Sequence, residues 1–129
     1  VLYALVDAAD AAHVRARDAL RRETEAIIVP QATMPEVGYL IGSRLGPRAA
    51  ANFARHLAAS DWRLEPLTDP DLHRTVEILD RYVDARLGIV DASIVAIAER
   101  LGVRRLYTLD HRHFGSIRPA HLESFELLP

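Results

Sequence analysis

Three carboxylates in this chain stand where a carboxylate can do chemistry: Glu36, Asp91 and Asp110. Asp91 interrupts the apolar stretch Gly88-Ile89-Val90-Asp91-Ala92-Ser93-Ile94-Val95-Ala96, whose neighbours carry it inward. A carboxylate taken inward must be paired, protonated or bound to a metal. No lysine is available to pair it, because all sixteen basic residues are arginine. Asp110 follows the run Arg105-Leu106-Tyr107-Thr108-Leu109, and Glu36 follows the run Ala26-Ile27-Ile28-Val29-Pro30 by a few residues. Each acid also has a structural explanation, since helix starts favour acids and turns favour aspartate. Brought together, they would repel one another until a divalent ion neutralised them. An oxygen-only donor set without sulfur or matched imidazole selects magnesium or manganese. Such an ion polarises an electrophile, positions or deprotonates water and offsets charge on a leaving oxygen.

Other candidates carry less. Asp84 lies seven residues before Asp91 and reads either as a substrate-side acid or as a surface residue at a helix end. Arg112 can touch phosphate or remain solvated. His111 and His113 flank Asp110, but alternate residues in a turn point apart and no third ligand matches a zinc set. Ser93 and Thr108 are hydrogen-bond partners for the acids or local caps. Asp7 and Asp10 read as surface residues.

Two absences narrow the chemistry further. Without cysteine there is no disulfide, no thiolate metal site and no thiol nucleophile. Without lysine there is no Walker A loop, no protein-kinase site and no Schiff base. No Gly-x-Ser-x-Gly elbow supports a serine hydrolase. A net charge of −2 argues against holding nucleic acid by a broad basic face, while leaving room for a nuclease with an acidic metal site.

The elements that would position these residues are legible. The 129 residues read as one domain, 1–129, half of them hydrophobic. No apolar run reaches the ~18–20 residues of a bilayer span, so no membrane association is expected and the chain reads as cytoplasmic. Residues 12–25 form an amphipathic helix, 26–30 a buried strand, 35–45 a helix ended by Gly46-Pro47, and 47–60 a second helix. Residues 62–67 read as an edge strand, and Thr68 with Asp71 as a capping-box-like start to a helix reaching about Tyr82. Gly88 and Gly102 bracket a helix over 89–101, and strands follow at 105–109 and 125–128. Alternating strands and helices predict an α/β domain with a mostly parallel sheet, whose ligand crevice lies at the carboxyl ends of the strands. All three acids fall there.

Met34-Pro35-Glu36-Val37-Gly38-Tyr39-Leu40, Leu87 to Gly102 with its Asp91-Ala92-Ser93, and Leu106-Tyr107-Thr108-Leu109-Asp110-His111-Arg112-His113-Phe114 resemble the successive blocks of PIN-domain ribonucleases. Their spacing and the closing Phe125-Glu126-Leu127-Leu128-Pro129 are similar to the VapC toxins of bacterial toxin–antitoxin pairs. The resemblance covers essentially the whole chain. It implies a three-layer α/β/α sandwich, a magnesium or manganese ion held by clustered acids, RNA as substrate, a cognate antitoxin as partner, and a homodimer. Matched motif by motif, Glu36, Asp91 and Asp110 are three of the family's four acids. The fourth ends a first hydrophobic strand that the family places directly before a segment like Val1 to Asp7. Residues 1–7, ambiguous between strand and helix by pattern, thereby become the helix after a missing first strand, and the preceding codons are expected to encode it. Two other readings stay open: an RNA-processing PIN nuclease that is not a toxin, and a catalytically silent PIN-like binding module.

Overall fold

The computed structural model describes residues 1–129. Residues Leu2–Val6 form a short helix, α1, and His13–Arg21 form α2. The β-branched run condenses into strand β1, Ile28–Pro30, and a 3-10 turn, Gln31–Thr33, leads into α3, Met34–Leu45. Pro35 is tolerated there because it falls in the first turn, where its missing N–H has no helical partner. Gly46 breaks the chain at φ 88°, ψ 170°, a conformation open to glycine, and Pro47 starts α4, Pro47–Ala59. Strand β2, Arg63–Glu65, follows.

Helix α5, Asp69–Arg81, starts with a complete capping box. The Asp71 backbone N–H donates to Thr68 Oγ1, and the Asp71 carboxylate accepts from the Thr68 backbone N–H at 2.9 Å. After a 3-10 turn at Val83–Ala85, α6 runs Ile89–Leu101 and closes on Gly102 in the left-handed conformation. Strand β3, Arg105–Tyr107, the short helix α7, His111–Ser116, and strand β4, Glu126–Leu128, complete the chain.

The strands are parallel, as the alternation of elements predicts, but they form two separate pairs. β1 lies beside β2 with Val29 opposite Leu64, and β3 lies beside β4 with Leu106 opposite Leu127. Each strand is only three residues long, shorter than the apolar runs that contain it. Between the pairs lies a cleft of about 630 Å³, lined by both β1 and β3 and reached by Val1 and Leu2.

Burial is uneven. Ala92, Ser93, Val95, Ala96, Ile97 and Ala98 are all buried, so α6 is covered around most of its girth. Small residues let α5 approach it closely, and Ile78, Phe114, Ile117 and Phe125 join it in a nine-residue core with Leu106 and Leu127 packed alongside. Around α1 and α2 the core is three alanines, Ala4, Ala12 and Ala16. No helix is long and apolar enough to cross a membrane.

Candidate active site

The cleft between the strand pairs is where the acids meet. Glu36, Asp91 and Asp110 all line it, Glu36 from the β1 side of the fold and the other two from the β3 side. The crevice rule places two of them: Glu36 lies in the first turn of α3, after β1, and Asp110 lies just after β3, whereas the helix that carries Asp91 follows α5 and a 3-10 turn rather than a strand. Asp91 lies in the first turn of α6.

Their environments differ. Asp91 is half-buried, and no hydrogen bond or ion pair reaches its carboxylate from within the chain. Burial pushes its carboxyl above the ordinary aspartate value, the negative charge of Asp110 adds to the rise, His113 opposes it and Glu36 adds least. Asp91 folds back over its own helix start, with Oδ2 3.6 Å from where a side chain on Gly88 would begin. Glu36 is exposed at the mouth.

Asp110 is exposed and engaged locally. Its Oδ1 accepts from the His113 backbone N–H at 2.9 Å, capping α7, and its Oδ2 lies 2.8 Å from His113 Nδ1. The capping role and a place beside the cleft are both present in the same side chain. No three histidine or carboxylate side chains stand close enough together to enclose an ion as they are. The donors nevertheless fit a hard divalent cation in kind: oxygen only, negative in sum, and including one half-buried carboxylate that no arginine neutralises.

That last point sets Asp91 apart from Glu23, Glu65, Asp71 and Glu99. Glu65 and Asp71 are both served by Arg100, Glu99 by Arg74, and Glu23 by Arg105 and Tyr107. The carboxyls of Glu23, Glu65, Asp71 and Glu99 are held below their ordinary values by these partners, in each case against the cost of burial. Asp91 alone is displaced upward.

The remaining candidates fall elsewhere. Asp84 is exposed in the 3-10 turn at Val83–Ala85 and does not line the cleft. Arg112 is exposed in the first turn of α7 and makes no ion pair. Ser93 donates to the Val90 carbonyl of its own helix at 2.7 Å and Thr108 Oγ1 accepts from the Asp110 backbone N–H at 3.0 Å, so both are engaged with local backbone rather than with the acids' carboxylates. Asp7 is tied to its own turn, accepting from the Tyr3 hydroxyl and the Ala9 N–H. Sequence reasoning missed the strap across the cleft, where Glu23 accepts from the Tyr107 hydroxyl at 2.6 Å and pairs with Arg105 at 3.0 Å. Those partners lie more than eighty residues apart, and no local pattern announces them.

Residues 1–118 match the PIN domain family. Ribonuclease VapC26 of Mycobacterium tuberculosis is 32% identical over 128 residues, covering 99% of this chain and 95% of that protein. A 7-cyano-7-deazaguanine synthase of Legionella pneumophila is 30% identical over 99 residues, but only 43% of that protein is covered. Among solved structures, VapC20 of Mycobacterium tuberculosis, a sarcin-ricin loop cleaving toxin, superposes with a TM-score of 0.84 over 99% of this chain and 94% of its own, at 23% identity. The α/β fold is thereby that of a PIN domain.

Proposed function

This chain belongs to the PIN-domain family, alongside the VapC ribonucleases, and on that premise we propose that it is a divalent-metal-dependent endoribonuclease acting as the toxin of a toxin–antitoxin pair. The observation that carries the site assignment is the half-buried Asp91, without any hydrogen bond or ion pair and raised by burial and by Asp110 and Glu36, in a chain that gives an arginine to Glu23, Glu65, Asp71 and Glu99.

In this reading Asp91, Asp110 and Glu36 hold magnesium or manganese. The bound ion supplies Lewis acidity toward a phosphodiester and a more acidic water for in-line attack. Asp91 presents its carboxylate from a rigid helix, since the rest of α6 is locked in the core. Asp110 must release His113 Nδ1 to offer both oxygens, while its Oδ1 bond to the His113 amide fixes the carboxyl's direction. Glu36, at the solvent edge, is placed to orient the ion or its water. Arg112, exposed in the first turn of α7 outside the cleft lining and paired with no acid, is the residue proposed to meet a substrate phosphate beyond the cleft. Asp84, exposed and outside the cleft lining, is given no role in this reading.

Helix α4 supports a protein partner, the cognate antitoxin. It is amphipathic, yet none of its residues is buried, and Phe53 and Leu57 face a groove of about 690 Å³ shared with Leu5, Leu20 and Trp62. A homodimer in the cytoplasm completes the proposal.

The decisive experiment is cleavage of single-stranded RNA by the purified protein with magnesium or manganese, with chelator, and with Asp91→Asn. Metal-dependent cleavage that Asp91→Asn abolishes is the expected result. Metal-independent cleavage, or full activity in the variant, overturns the assignment.

A further inference from the structure

We propose that Tyr39 is a stacking platform for a base of the RNA substrate next to the scissile phosphate, an inference that rests on the nuclease reading above.

The four tyrosines of this chain are not equivalent. Tyr3 donates its hydroxyl to Asp7 and lies under Arg44. Tyr82 accepts from the Arg118 backbone N–H and lies under Arg81. Tyr107 donates to Glu23. Tyr39 has no hydrogen bond, cation or aromatic neighbour, and at 73% exposure it is the most exposed large apolar side chain in the molecule.

Its position is defined by the helix. Val37 and Ile41 bury the inner side of α3, and at ~100° per residue Tyr39 points almost directly away from them. Glu36 is three residues earlier, so the two side chains are neighbours one turn apart, with Cβ atoms ~5–6 Å from each other. Glu36 lines the acid cleft from its exposed mouth, and Tyr39 stands beside Glu36 on the outer side of α3, outside the cleft lining. A phosphate held beside Glu36 would leave an attached base within reach of Tyr39.

Charge favours a contact of this kind. The protein carries a net −2, and its cleft is lined by five acids against two arginines, with Arg105 already paired to Glu23 and Glu25, so that Glu36, Asp91 and Asp110 face a polyanion without an arginine partner. Phosphate attraction therefore supplies little of the affinity, and aromatic stacking works independently of charge and tolerates any base.

The test measures binding of a fluorescent single-stranded RNA, in chelator so that nothing is cut, to wild type, Tyr39→Ala, Tyr39→Phe and Tyr39→Trp. Tyr39→Ala is expected to weaken binding about ten-fold, whereas Phe and Trp retain it. With metal present, the loss should appear in KM with kcat little changed. An RNA of the same length with one abasic position at the bound base should bind wild type and Tyr39→Ala alike.

Binding by Tyr39→Ala within two-fold of wild type overturns the proposal while leaving the nuclease reading intact. Unchanged RNA affinity with a shift from dimer to monomer by light scattering assigns Tyr39 to a protein interface instead. A wild-type protein that neither binds nor cuts RNA overturns both, and the parallel cleavage assay tells these results apart.

Discussion

Arg100, in the last turn of α6, places its Nε 2.8 Å from Oδ1 of Asp71, in the first turn of α5, and so joins the end of one core helix to the start of the other. Its Nη2 also lies 2.9 Å from Glu65 of β2. The side chains of both acids are almost fully buried, at 2% and 8% exposure, while the guanidinium is about a third exposed at 31%.

Arg100→Met should therefore cost about 2 kcal/mol, less than a wholly buried pair because solvent screens the arginine. The pH dependence has a definite sign. Asp71 and Glu65 are held below the ordinary carboxylate range, so their contribution is present above that range and is lost as pH falls through their folded values. Urea melts at pH 7 and pH 3 should show the variant's deficit at the first and a much smaller one at the second.

Asp91 predicts the reverse. Its carboxyl is raised on folding, so the charged form opposes the fold above the ordinary aspartate value and the penalty vanishes in acid. Without metal, Asp91→Asn should hold or raise Tm at pH 7 and match wild type near pH 3. Differential scanning calorimetry at the two pH values checks it, and a lower Tm at pH 7 would make Asp91 a structural residue.

Added magnesium or manganese should raise the wild-type Tm, by ~2.7 kcal/mol of stabilisation at a hundred times Kd. The rise should be absent in Asp91→Asn and much reduced in Asp110→Asn. Asparagine preserves the cap on α7, so Asp110→Asn should melt like wild type in chelator.

Gly42 lies inside α3, and a Cβ added there meets nothing within 4 Å. Alanine removes backbone freedom from the unfolded chain at no steric cost, so Gly42→Ala should stabilise the protein by ~1 kcal/mol. A denaturant midpoint unchanged or lowered would refute it.

The Tyr107 hydroxyl is pushed up to about 12 by burial and by its bond to Glu23. A group raised in this way stabilises the fold below its ordinary value and loses that effect as pH climbs through the folded one. Tyr107→Phe should cost ~1 kcal/mol at pH 7, and the difference from wild type should close between pH 10 and pH 12 in alkaline melts.

What could be read from the sequence was whatever neighbours in the chain dictate. The α6 boundaries follow from Gly88 and Gly102, and the α5 start from Thr68 and Asp71. Alternation around β2 did not reveal that Glu65 would be buried and Leu64 40% exposed. That choice is made by Arg100, thirty-five residues later, which pairs with Glu65 from outside the strand. The three acids were visible because each stands at the end of a recognisable element. Their unequal states were not, since those depend on burial and on charges from other elements. The separation of the strands into two pairs was likewise invisible to local pattern.

The uneven core has a consequence for motion. The nine-residue cluster around α6 and the three alanines around α1 and α2 should behave as two units of unequal local stability, the second opening well below the global unfolding free energy. Glu36 lies on α3, which contacts α1, whereas Asp91 belongs to the tighter unit. The gap between these two acids is then a breathing distance, and the Glu23 strap to Tyr107 and Arg105 restrains it. Amide exchange should run fast in α1 and α2 and slowest in α6, with Glu23→Gln accelerating the first and leaving the last alone.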